Sequence, residues 1–102
     1  MDVSLAHVQT MARYNRWMNQ KVYDGCSDLS DEDRKRDMGA FFRSIHGTLN
    51  HILLADRIWM GRFIGEPFPV RSLDQELYAD FGVLRDERAA EDERIIDWVA
   101  SL

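Results

Sequence analysis

Both prolines of the chain lie within one short stretch, at Pro67 and Pro69. Proline removes a backbone donor and blocks the interior of a helix, so its confinement leaves the rest of the chain free to be helical. No run of β-branched residues alternates with polar ones, as a half-buried strand requires. An all-α fold follows, built from three helical segments with no internal repeat. The 102 residues suit a single domain spanning 1–102.

The first helix is expected from about Ser4 to Asp24. At about 100° per residue, Leu5, Val8, Met11, Ala12, Met18 and Val22 share one stripe, and Gly25 supplies a stop. Ser27 to Asp37 is polar and reads as a connector, within which Ser30-Asp31-Glu32-Asp33 can cap a short helical turn. The second helix is expected from about Met38 to Phe63, with Met38, Phe41, Phe42, Ile45, Leu49, Ile52, Leu53, Met60 and Phe63 on its main stripe. Leu54, Ala55 and Ile58 make its other side weakly polar as well, which places it centrally or at a dimer interface. A loop at Gly65–Pro69 precedes Ser72 and Gln75, whose spacing reads as a capping box for a third helix from about Leu73. Leu77, Phe81, Leu84, Ile95, Trp98 and Leu102 form its seam, interrupted by Arg88 and Glu91, which are three apart, a spacing that allows them to pair.

Charge and cysteine usage narrow the function classes. Eighteen Asp and Glu against 13 Lys and Arg give a net charge of −5, which lacks the basic footprint of a nucleic-acid binder. No apolar run approaches the roughly 20 residues that cross a bilayer, and the Met1-Asp2-Val3-Ser4 start lacks the basic and apolar regions of an export signal. The single Cys26 excludes an internal disulfide and fits a reducing compartment, so the cytoplasm is expected.

Three histidines raise the question of a metal. His46 and His51 are five residues apart and point about 140° away from each other on one helix, so they do not chelate one ion together. His51 points away from the main apolar stripe yet is followed on its own face by Ala55 and Ile58, the setting of an imidazole in a semi-apolar pocket. His46, beside the stripe and one turn before Asn50, reads as structural, and His7 as a rim residue. Asp56 falls on the apolar stripe, where an unpaired carboxylate is costly to bury, so a partner is expected. Asn15 and Asn19 fall on the apolar side of the first helix, and a polar cluster of Asn15, Asn19 and Asp56 follows, either a structural network or the wall of a polar pocket. Trp17, Trp59 and Trp98, one per helix, read as packing residues. The chain has no glycine-rich phosphate loop, no Cys-x-x-Cys and no nucleophile elbow. Cys26 follows a helix end, so no helix dipole activates it.

Two segments carry a family resemblance. Tyr14-Asn15-Arg16-Trp17-Met18-Asn19, followed by Ser44-Ile45-His46-Gly47-Thr48-Leu49-Asn50-His51-Ile52-Leu53-Leu54-Ala55-Asp56-Arg57-Ile58-Trp59, resembles the DinB family of DinB/YfiT-like metalloenzymes, with the His-x4-Asp-x2-Trp core as its specific part. The resemblance extends through Ser72-Leu73-Asp74 to Trp98-Val99. It implies an up-down-down-up four-helix bundle, commonly dimeric, that holds a divalent metal, Zn²⁺ or Ni²⁺, on three histidines. It also implies thiol-dependent transferase or hydrolase chemistry on a small-molecule substrate, with a low-molecular-weight thiol. By resemblance, His51 is the metal ligand of the second helix, and His46, Asp56, Asn15 and Asn19 are candidates for the surrounding shell or a polar pocket. The other two ligands belong to a His-x-x-x-His pair on a helix after the third, and no such pair occurs before Leu102. The expectation is therefore a bundle truncated to about three helices, incomplete as an enzyme by itself, whose uncovered face drives association into a homodimer or higher oligomer. The alternative is a self-associating helical module without a working metal site.

Overall fold

A computed structural model describes residues 2–39 and 41–102. It contains α1 (Asp2–Ser27), α2 (Asp31–Lys35), α3 (Ile45–Ile64) and α4 (Phe81–Ala100), with no strand among the described residues. The five-residue α2 is the capped turn allowed by Ser30, whose side chain accepts from the Asp33 amide. Three long helices therefore make the body of the fold.

Side-chain pairs give the helix directions. Arg16 meets Glu93 and Arg85 meets Asp24, so α1 and α4 run antiparallel. Asp56 meets Arg88 and Phe63 stacks on Trp98, so α3 and α4 run parallel. The order is up-down-down, as in the first three helices of the expected bundle.

This order explains why α4 begins at Phe81 and not near Leu73. Parallel α3 and α4 must start at the same end, so the connector has to travel back along all of α3, whose 20 residues are about 30 Å long. An extended chain covers at most about 3.6 Å per residue, and the segment between Ile64 and Phe81 is used for that return. Ser72 is consequently not a helix cap: the Gln75 side chain instead accepts from the Arg71 and Ser72 amides in a turn, and Asp80 caps α4 by accepting from Val83. The return begins tightly. A Cβ on Gly61 would lie 2.7 Å from the Glu66 carbonyl oxygen and 2.9 Å from the Phe68 nitrogen, so glycine is what lets the connector cross α3 there.

The start of α3 also differs from the expected Met38. Gly39 and Arg43 both take positive φ, at 75° and 70°, which breaks the helix before Ser44 caps it by accepting from Gly47. Met38 and Phe41 therefore lie in an irregular turn, highly exposed, and not on a core stripe. At its other end α1 runs two residues past Gly25 to Ser27, whose hydroxyl donates to the Asp24 carbonyl.

The core is small. Tyr23, Leu49, Leu53 and Leu84 form its centre, with Ile45, Leu77, Tyr78 and Phe81 packed around them. Each fully buried leucine contributes about 1.5–3 kcal/mol. Much of the expected apolar stripe of α1 is uncovered: Val8, Met11, Met18 and Val22 are each between 37% and 48% exposed, and α1 packs on α4 through Ala12, Asn19 and Tyr23 instead. Between α1, α3 and α4 lies an apolar trough with a recess of about 400 Å³ lined by Val8, Met11, Trp59, Phe63, Ile95 and Trp98. The radius of gyration, 14.7 Å, exceeds the roughly 13 Å of a compact chain of this size, in keeping with that opening.

Candidate functional site

The connector that returns along α3 is pinned to it by a histidine and an asparagine one turn apart. Asn50 accepts the Leu77 and Tyr78 amides at 2.8 and 2.9 Å and donates to the Tyr78 carbonyl at 3.2 Å. His46 Nε2 lies 2.8 Å from the same carbonyl and 3.2 Å from a Glu76 carboxylate oxygen. Both neighbours accept only, so Nε2 carries the proton and donates. Nδ1 of His46 is buried and has no partner among the described residues. Arg57 completes the clamp by donating to the Tyr78 hydroxyl at 2.9 Å.

His51 has the opposite tautomer. Its Nδ1 lies 2.9 Å from the Leu73 carbonyl oxygen, an acceptor without a proton, so Nδ1 is the protonated nitrogen and Nε2 keeps its lone pair. The imidazole is stacked on Phe42, centroid to centroid 3.8 Å at 18°. An N–H held by a backbone carbonyl is the arrangement that orients a metal-binding imidazole and fixes which nitrogen is free. The ring lines a recess of about 230 Å³ together with Leu54, Ala55, Ile58, Arg62 and Leu73. Phe42 and Leu73 were not singled out as site residues in the sequence. Phe42 occupied a core position in the expected helix, and the Leu73 contribution is a backbone atom, which no side-chain pattern encodes.

The polar residues of the apolar faces gather elsewhere. Arg88 of α4, buried to 2% exposure, donates through Nη2 to Asp56 at 2.7 Å and to Asp92 at 2.8 Å. Asn19 donates to Asp92 at 3.0 Å and Asn15 at 3.4 Å. Asn15, Asn19 and Asp56 thus belong to one network, but through Arg88 and Asp92, and no hydrogen bond among the described residues joins that network to His51. Arg88 and Glu91, whose spacing allows a pair, do not pair among the described residues. Glu91 points to Arg94 at 3.2 Å and Arg57 at 4.0 Å, because Arg88 lies on the α1 and α3 sides of the helix, where Asp56 and Asp92 are. Burial pushes the Asp92 carboxyl above its ordinary range, with Arg88 and the Asn19 hydrogen bond opposing that shift. Burial likewise raises Cys26, and drives the Tyr23 hydroxyl up to about 12, toward their protonated forms.

Among the described residues, no group of three or more histidine, cysteine, aspartate or glutamate side chains is placed to hold a metal ion. His51 offers one nitrogen of the right kind and has no companion ligand in its recess. The described residues therefore bring no complete set of metal ligands together.

No helix among the described residues is long and apolar enough to cross a membrane. The family model described as "DinB family" matches residues 1–102. Protein DinB of Bacillus subtilis (strain 168) is 32% identical over 53 residues, which cover 52% of this chain and 31% of that relative. The matched stretch is thus about a third of the relative's length. No solved structure matches the chain.

Proposed function

This chain belongs to the DinB family, and from that premise we propose that it is part of a metal-dependent enzyme, to which it contributes His51 as one ligand. The observation that carries the reading is the hydrogen bond from His51 Nδ1 to the Leu73 carbonyl, which leaves Nε2 as the free donor beside a recess. The ligands that complete the set come from outside this copy of the chain. When bound, Zn²⁺ or Ni²⁺ would supply Lewis-acid chemistry, lowering the pKa of a thiol or water at that position. The family resemblance points to a low-molecular-weight thiol and to thiol transfer or hydrolysis of a small molecule. This chain's own part is to hold the imidazole flat against Phe42, fix its tautomer through Leu73, and shape an apolar wall from Leu54, Ala55 and Ile58.

A second reading, a self-associating helical module without a working metal site, is favoured by the uncovered stripe of α1 and the trough beside it. Metal analysis separates the two. In titration with excess Zn²⁺ at equilibrium, the enzyme reading predicts weak binding at His51 Nε2 that is lost on His51→Ala and kept on His7→Ala, a change at an exposed position. A Zn²⁺ response that is the same in all three proteins rejects the enzyme reading and leaves the module.

A further inference from the structure

Ala55, Ile58 and Arg62 follow His51 at intervals of four, three and four residues, which puts them on one stripe of α3. All four line the same recess of about 230 Å³. Arg62, an exposed residue, is the furthest of the four along the helix, and its guanidinium lies over the Trp59 indole, 4.9 Å from the ring centroid. Side chains on a helix lean toward its N-terminus, over the residues three and four positions back. The stacking on Trp59 is that geometry, and it brings the charge back toward the recess.

Arg62 makes no ion pair or side-chain hydrogen bond among the described residues, although the chain carries 18 carboxylate side chains. Arg57, five positions earlier, contrasts with it, being engaged by Glu87 and the Tyr78 hydroxyl. A guanidinium stacked on an indole face keeps its N–H edge available, and that edge matches a carboxylate through two parallel hydrogen bonds. The wall between the two polar ends is apolar, formed by Leu54, Ala55 and Ile58. From His51 to Arg62 the helix axis advances roughly 16 Å, and the backward lean of Arg62 shortens the span between the two heads.

We propose that this recess takes a small molecule with an apolar body and an anionic end of carboxylate shape, which Arg62 binds while the other end faces His51. The assignment deepens the enzyme reading by naming a substrate class for the same recess. Its second half, the orientation toward His51, rests on that reading, and the role of Arg62 does not.

The probes are 4-phenylbutyrate and its neutral amide, 4-phenylbutanamide, titrated into the whole chain and followed by amide chemical shifts of α3. The expected result is a preference of about tenfold for the carboxylate, with shifts centred on Ala55, Ile58 and Arg62. Arg62→Gln is expected to reduce the preference to within about twofold, and Arg62→Lys to leave it intermediate, since lysine keeps the charge but not the fork. His51→Ala is expected to keep the preference, so loss of metal binding in that variant and loss of carboxylate selectivity in Arg62→Gln are separable failures. Equal affinities for the two probes in the unaltered chain, no binding of either, or an undiminished preference in Arg62→Gln overturns the proposal, whatever the metal content. A preference of similar size for phenylphosphonate would identify the class as anions in general, with the planar carboxylate no longer singled out, and would overturn the carboxylate assignment.

Discussion

Arg88 holds Asp56 at 2.7 Å across the α3–α4 interface, and the same Nη2 holds Asp92 at 2.8 Å one turn along its own helix. One cation thus serves two carboxylates, of which Asp92 is 1% exposed. Removing one partner of a buried pair leaves an uncompensated charge, which typically costs about 3–5 kcal/mol. Arg88→Met is therefore expected to destabilise the chain by roughly that amount in urea unfolding. Asp92→Asn keeps an oxygen that accepts from Arg88 and Asn19 and leaves Arg88 paired with Asp56, so its cost is expected to be about 1 kcal/mol or less. A reversed order of the two variants contradicts the network.

The same carboxylate sets a pH dependence. Asp92 ionises at a higher pH in the folded chain than the ordinary 3.8, burial being the leading cause and Arg88 the main opposing one. The folded state then binds more protons than the unfolded state through that window, so the contribution of this group is favourable below it and is lost as pH rises through the folded pKa. Asp92→Asn is expected to flatten the dependence of unfolding free energy on pH from about pH 4 upward. An unchanged slope in that variant would show that Asp92 does not carry the effect.

Asn50 makes the connector's return possible, since it satisfies two backbone amides and a carbonyl in a buried position. Asn50→Ala removes these bonds and leaves buried groups unpaired, at about 1–3 kcal/mol each before relaxation. The expected outcome is faster amide exchange at Leu77 and Tyr78 by at least about tenfold, with smaller changes in α1. Uniform exchange across the chain would mean that Asn50 acts on global stability alone.

The trough between α1 and α3 exposes Met11 and Phe63 at 48% and 56%. Apolar patches of this kind favour association. The chain is expected to be a dimer or larger at micromolar concentration by light scattering, and Met11→Lys is expected to shift it toward monomer. A monomeric chain with cooperative unfolding contradicts this expectation.

The helical class and the element types were legible from proline placement and apolar spacing, because those depend on local chemistry. The boundaries of α3 and α4 were not. The start of α4 is decided by the need to return along α3, a tertiary requirement that the Ser72 and Gln75 spacing does not contain. Asp56 was recognisable as a residue in need of a partner, yet the partner, Arg88, was hidden because its own spacing to Glu91 offered a local alternative. The oddity of His51 was visible as an imidazole beside Ala55 and Ile58. Its tautomer was not, since that is set by the backbone oxygen of Leu73, 22 residues away.

The imidazole nitrogen spectrum of the whole chain during titration with Zn²⁺ tests directly whether His51 is a metal ligand. Free His51 is expected to be the Nδ1–H tautomer, Zn²⁺ to shift its Nε2 and broaden amides around Ala55 and Leu73, and His51→Ala to abolish the response while His46 keeps its Nε2–H signal. A response centred on His46 or His7, or one that survives His51→Ala, would contradict that role for His51.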